Sequence, residues 1–205
     1  PISSAANLDN SLWSFIKMPL TRPKKVPTAN LAQGSSFLTG VPAGSTVQVV
    51  HRDHNPIFST TSTSFVNITN YSVSITPSST SSKILLIVNP YFSVNGHGSL
   101  RLTRSIGGAT ATTAGFVGDQ GLSSRTAATF HEYTANSYNT GYNPNSGGIT
   151  FFDSPNTTSA VVYQLQGAVP HSGTYTLMIN RPVQDGDANW SARLRSSMTA
   201  IEVKQ

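Results

Sequence analysis

The chain has 205 residues, of which 10% are charged and 37% hydrophobic; its formal net charge is +5, it has no cysteine, and Ser and Thr make up about a quarter of it. Without cysteine there is no disulfide framework, thiol nucleophile or Cys-ligated zinc, and so small a basic excess does not mark a nucleic-acid-binding chain. Low charge with many Gly, Pro and hydroxyl residues argues for an all-β protein of short strands, and against a helical bundle rich in Ala, Leu, Glu and Lys.

Residues 1–44 differ in character from the remainder of the chain. Asn7 is placed to cap a short helix with Leu8, Leu12, Phe15 and Ile16 on one side, and Trp13 beside them. Pro19 ends that helix, and the segment Leu20–Pro27, which holds Arg22, Lys24 and Lys25, favours an extended path. Asp9 is the only acid in the first 25 residues, so the positive charge is concentrated there. Apolar anchors without a core of their own read as a docking arm, and equally as a segment whose Leu12, Trp13 and Phe15 pack back on the same chain's domain. No basic segment precedes an apolar core here, so no secretory leader is expected, and no run is long enough to span a membrane. The lack of cysteine leans toward assembly in a cytosol.

The β domain is expected over 45–205. Thr46–Val50 reads as a first strand and 51–62 as a loop. Phe65, Ile68 and Tyr71 open an apolar pattern; Tyr71, Val73 and Ile75 then alternate with Ser72, Ser74 and Thr76, the period of a strand with one wet face. Pro77 ends it, and Ser78–Ser82 is a small-residue turn. Ile84–Val88 is a continuous apolar run, read as a strand buried on both faces that pairs with the preceding one as a hairpin. Such a strand needs another sheet or another chain over its outer face. Asn95-Gly96-His97-Gly98 is a turn signal, and Leu100–Arg104 alternates again.

Residues 107–147 are rich in Gly, Asn, Ser and Tyr, with one strand signal near Thr126–Tyr133. Long polar loops are costly to order, and Tyr133, Tyr138 and Tyr142 among Asn and Ser have the composition of a recognition surface, although a plain solvated loop explains them as well. Further strands are expected at 148–152, 159–166, 173–180 and 197–203, with a turn at Asp153–Asn156 and another at Asp185–Asp187. The spacing suggests a jelly-roll-like antiparallel β-sandwich. Phe92, Phe116, Phe151, Phe152 and Tyr163 supply more large apolar groups than one thin sandwich readily hides, which is compatible with apolar strand faces buried between copies of the chain.

Chemical constellations are sparse. His51-Arg-Asp-His54 holds two histidines and an aspartate with no third ligand nearby, and reads as a polar loop rather than a metal site. His97, His131 and His171 stand isolated in sequence. The eight carboxylates form no spaced catalytic pair. There is no Gly-x-Ser-x-Gly elbow or phosphate loop. Trp190 beside Asp185 and Asp187 is a candidate sugar platform, although a packing role in a turn explains it as well. Arg101, Arg104, Arg193 and Arg195 lack the interleaved aromatics of a nucleic-acid surface. No cofactor and no enzymatic activity are expected.

The order Thr46–Val50, Ser64–Val66, Ser74–Pro77, Ser81–Leu85, Leu100–Arg104, Asp153–Pro155, Ser159–Gln166 and Ser197–Glu202 resembles a domain of virion appendage and decoration proteins of tailed phages, notably marine and cyanobacterial ones. The resemblance covers 45–203. It implies a homotrimeric, non-enzymatic protein of the virion surface, made in the host cytoplasm, with a short fibre or knob rather than a long shaft. On that reading the arm docks on capsid, neck or tail proteins through Leu8, Leu12, Trp13, Phe15, Ile16, Arg22, Lys24 and Lys25. The resemblance names no receptor; if the loops bind host surface polysaccharide, Tyr133, Tyr138, Tyr142 and Trp190 are the expected contacts, and neither nucleic-acid binding nor membrane insertion is expected. A capsid cement role and a free carbohydrate-binding jelly roll are the alternatives.

Overall fold

The computed structural model describes residues 42–118, 124–134, 144–189 and 191–205. The expected arm helix and its docking residues Leu8, Leu12, Trp13, Phe15, Ile16, Arg22, Lys24 and Lys25 lie outside the described residues.

The described chain is all-β, with no helix. In order it forms β1 (Thr46–His54), β2 (Phe58–Thr60), β3 (Val66–Ile75), β4 (Lys83–Asn89), β5 (Tyr91–Val94), β6 (His97–Ile106), β7 (Phe130–Tyr133), β8 (Asn145–Ser146), β9 (Ile149–Asp153), β10 (Val161–Ala168), β11 (Leu177–Ile179) and β12 (Ser196–Val203). The pairing is that of a long antiparallel ribbon: β1 pairs with β12, β3 with β10, β4 with β9 and β6 with β7. Rolling the ribbon sets β12 against β4 and β10 against β6. Two four-stranded sheets result, β1-β12-β4-β9 and β3-β10-β6-β7, in the strand order of a jelly roll. The four connections between them at one end each carry a short strand, and these join as a third sheet, β2-β11-β5-β8.

The two large sheets bury alternate side chains against each other. Ile84, Leu86 and Val88 of β4, with Met198 and Ala200 of β12, meet Tyr71, Val73 and Ile75 of β3 and Val161, Tyr163 and Leu165 of β10 in one apolar cluster. Area removed from water at about 25 cal/mol per Å² makes this cluster the main stabilising term. The odd spacing of Ile68 and Tyr71 has a local cause. Asn70 sits in the left-handed region at φ 62°, and the β3–β10 register skips there, so both side chains turn inward. Gln164 Nε2 fills the bulge by donating to the Ile68 carbonyl at 2.9 Å and the Tyr71 carbonyl at 3.1 Å.

Four sequence expectations need correction. First, β3 and β4 are not a hairpin: they lie in different sheets, with Ser78–Ser82 crossing between layers, because their apolar sets face each other rather than sharing a face. Second, β4 is not buried on both sides, since Ile84, Leu86 and Val88 are buried while Leu85 and Ile87 are only half-buried. Third, 51–62 is not a loop. β1 runs on to His54 and Phe58–Thr60 is a strand, because the ladder with β12 extends to Ser196. Fourth, of the five large aromatic groups expected in excess, Phe92, Phe116 and Tyr163 are buried within the chain and Phe151 is half-buried, while Phe152 is 59% exposed.

Candidate functional site

The outer faces of the two large sheets differ in chemistry. On the β1-β12-β4-β9 sheet the register places Val49, Ile201, Leu85 and Phe152 in one row across all four strands. Val49 is 57% and Phe152 59% exposed. Ile87 stands in the next row, flanked by Thr199 and Thr150. Among the described residues this is an uncovered apolar stripe. Beneath it, on the inner face of β12, Glu202 is fully buried. It accepts from Gln48 Nε2 at 2.6 Å, the Ser78 N–H at 2.7 Å and Ser78 Oγ at 2.6 Å. Burial pushes this carboxyl up, but the donors of Ser78, Ser82 and Gln48 outweigh it and hold it below the usual carboxylate range.

The outer face of the β3-β10-β6-β7 sheet is polar and carries rings. His97 opens β6, opposite Tyr133 at the end of β7. Its imidazole stacks on Tyr133, with centroids 4.3 Å apart, and on His171, at 4.8 Å, so that three rings form one pile. His131 approaches His97 at 5.8 Å, and Tyr175 lies 5.9 Å from both His97 and His171. Ser99 Oγ is 2.8 Å from His131 Nδ1. Further along β6, Arg101 lies over the Phe65 ring at 4.1 Å and donates from Nε to Gln166 at 2.7 Å. Burial and the neighbouring His97 both push the His131 imidazole down.

This cluster exists because three chain connections converge at the third sheet. The Thr134 N–H donates to the Gly96 carbonyl at 2.9 Å, and the Asn95 N–H to the Thr176 carbonyl at 3.2 Å. Gly96 takes φ 136°, and a Cβ there would stand 2.3–2.5 Å from the Tyr175 ring, so only glycine seats that ring. The histidines that stand apart in sequence are thus side by side in the fold, contrary to the expectation that each is isolated. Their rings stack rather than converge, and among the described residues no group of three His, Asp or Glu is arranged to hold a metal ion.

Beside β7, an open depression of about 350 Å³ is lined by Phe92, Phe130, His131, Glu132, Asn145, Ser146 and Gly147. Glu132 Oε1 accepts from Asn145 and Thr134, while Oε2 is buried without a partner; burial raises this carboxyl.

Of the expected glycan contacts, Tyr133 is in the ring cluster and 57% exposed. Tyr138, Tyr142 and Trp190 lie outside the described residues. His51 and His54 cannot share a ligand: they fall on opposite faces of β1, with His51 exposed beside Asp53 and His54 only 1% exposed and stacked on Tyr71. Most of the four arginines weighed as phosphate contacts are neutralised. Arg104 pairs with Asp153 at 2.6 Å, Arg193 with Asp185 at 2.6 Å and Arg195 with Asp53 at 3.4 Å. The signal for His97, His131, His171 and Tyr175 becomes readable only once the jelly-roll order is known, because that order brings the three connections to one end.

No family model matches the chain, and no curated protein matches it. Among solved structures, the VP2 subviral particle of infectious bursal disease virus aligns at 14% identity and a TM-score of 0.35, over 77% of this chain and 38% of that one. A likeness at that score does not equate the two folds, and this chain spans well under half of the other's length.

Proposed function

We propose that the chain is a non-enzymatic structural protein of a tailed-phage virion surface. In this reading it is a homotrimeric short fibre or knob that is held to capsid, neck or tail proteins by its arm and contacts host surface polysaccharide. The observation that carries it is the Val49–Ile201–Leu85–Phe152 row. A stripe of that composition, on a sheet face that none of the described residues covers, is the kind of surface that copies of one chain bury against each other. The resemblance to phage appendage domains supports the same reading. The opposite sheet, with its exposed rings and hydroxyls, suits many weak saccharide contacts, and three copies multiply them.

The test has two arms. Native mass spectrometry of the full chain at micromolar concentration is expected to give a trimer, with Leu85→Asp and Phe152→Asp giving monomer; a monomeric parent overturns the assembly. Gold-labelled antibody on intact particles is expected to mark their surface, and no labelling overturns the location. Particles lacking the protein that burst sooner on heating yet adsorb normally would assign it the cement role instead.

A further inference from the structure

Four groups able to carry positive charge lie on one face at one end of the β3-β10-β6-β7 sheet: His97, His131, His171 and Arg101. The rings of His131 and His171 each lie within 6 Å of His97. Arg101 is two positions beyond Ser99 on the same face of β6, about 7 Å along the strand. Among the described residues, what faces them is neutral. From β7 it is Tyr133, from the β10–β11 connection Tyr175, and from β10 and β3 Gln166 and Asn67, which bond to each other at 2.7 Å. Glu132 alternates to the other side of β7, where Asn145 and Thr134 engage it. None of the three histidines pairs with a carboxylate among the described residues. By sequence, residues 135–143, immediately beyond β7, contain no charged side chain.

With its imidazoles neutral such a face is a ring stack with one guanidinium. On acidification two or three imidazolium charges would stand side by side with no counter-charge among the described residues, and like charges at that spacing repel. An external anion removes that repulsion, so proton binding and anion binding favour each other, each raising the affinity of the other by the same factor. The exposed Tyr133 and His171 faces add flat apolar surface of the kind that pyranose rings stack on. We propose that this ring cluster is an acid-gated site for an anionic saccharide, one bearing carboxylate or sulfate groups along a chain of sugar rings. It rests on the glycan-contact part of the function proposed above and narrows it to a ligand class and a condition.

The experiment is calorimetric titration of the full chain at pH 5.5 and 7.5 and fixed ionic strength. Three probes are used: an oligogalacturonate hexamer, a sulfated dextran oligomer and neutral maltohexaose. The expected result is at least tenfold tighter binding of one or both anionic probes at pH 5.5, with no such dependence for maltohexaose. His131→Gln and His171→Gln, both at exposed positions, are expected each to remove most of the pH dependence, while His51→Gln, an exposed histidine away from the cluster, leaves it intact. The proton resonances of the His131 imidazole are expected to titrate at higher pH with the anionic probe bound. Equal affinity at the two pH values, pH dependence that survives both cluster substitutions, or no binding of either anionic probe overturns the proposal. Maltohexaose binding with neither anion bound would remove the anionic site while leaving a neutral-glycan role standing. The virion location is decided independently by particle labelling.

Discussion

Asn180 joins three parts of the fold, and replacing it should be costly in a way that can be apportioned. It follows directly on β11, at φ 61°, and is fully buried. Its Nδ2 donates to the His54 carbonyl at 2.7 Å and the Pro56 carbonyl at 3.1 Å, while Oδ1 accepts from the Ser196 N–H at 3.1 Å and Ser196 Oγ at 2.6 Å. Thus one amide ties the end of β1, the end of β11 and the start of β12. In Asn180→Ala the His54 carbonyl and the Ser196 N–H lose their partners, at about 1–3 kcal/mol each. Alanine in the left-handed region adds about 1–2 kcal/mol. The expected loss is about 4 kcal/mol, or roughly 8–16 °C in Tm for a domain of this size. Asn180→Gly suffers the same hydrogen-bond loss without the backbone strain, so it should be about 1 kcal/mol more stable than Asn180→Ala. Urea unfolding followed by tyrosine and tryptophan fluorescence measures both. An alanine variant within about 1 kcal/mol of the parent, or no less stable than the glycine variant, would refute the reasoning.

Gly96→Ala should displace Tyr175 from the ring cluster and cost about 1–3 kcal/mol, since the new Cβ occupies the ring's space; a changed near-ultraviolet dichroism of tyrosine checks it. His54 is buried on Tyr71, and neither ring nitrogen makes a hydrogen bond of normal geometry. Burial pushes its imidazole below the ordinary value, with the Asn70 backbone opposing more weakly. The fold therefore prefers the neutral form, so its contribution is complete above about pH 6.5 and lost as pH falls toward the depressed folded value. His54→Phe should match or exceed the parent in stability at pH 7.5 and abolish that step in a denaturation series from pH 7.5 to 5. Glu202 behaves differently: its depressed carboxyl gives stability that is present above the ordinary glutamate range and lost as pH falls through the folded value, so a second decline below about pH 4.5 should remain in His54→Phe and vanish in Glu202→Gln. Arg104→Met leaves buried Asp153 with only the Tyr163 hydroxyl, which donates at 2.7 Å, and should cost about 3–5 kcal/mol; adding Asp153→Asn should restore at least half of that, as a double-mutant cycle would show.

The fold class is legible in the sequence because alternation is a local property. Tyr71, Val73 and Ile75 are inward in the structure as their spacing requires, and so are Met198 and Ala200. What alternation cannot carry is the identity of the partner sheet. The run Ile84–Val88 looks two-sided because Leu85 and Ile87 are apolar, yet apolar side chains on an outer face are common when another surface covers it or when the face is simply exposed. The same limit makes β3 and β4 look like a hairpin. A five-residue turn serves equally well to fold back within a sheet or to cross to the opposite layer, and only the distant partner of each strand decides. His54 reads as a loop residue because its immediate neighbours are polar, whereas its burial comes from Tyr71 on β3. The ring cluster is hidden for the same reason, in stronger form. His97, Tyr133, His171 and Tyr175 are spread over 79 positions, and no pattern inside any one segment connects them.

The two outer faces impose a direction on the proposed assembly. In a two-layer sandwich they point away from each other, so a copy seated on the Val49–Phe152 row cannot cover the ring cluster on the opposite sheet. Burying the apolar row at a three-fold axis would turn three ring clusters to the perimeter, all at the end where the third sheet closes the jelly roll. That separation has a measurable consequence. Substitutions in the row should change the oligomeric state without changing the affinity of a single chain for a short saccharide, and substitutions in the cluster should do the reverse. Binding to a long polymer would depend on both, because only an intact assembly engages several sites at once. If Leu85→Asp weakened binding of a hexamer as much as binding of a polymer, the two faces would be coupled through the core, and their division of roles would be wrong.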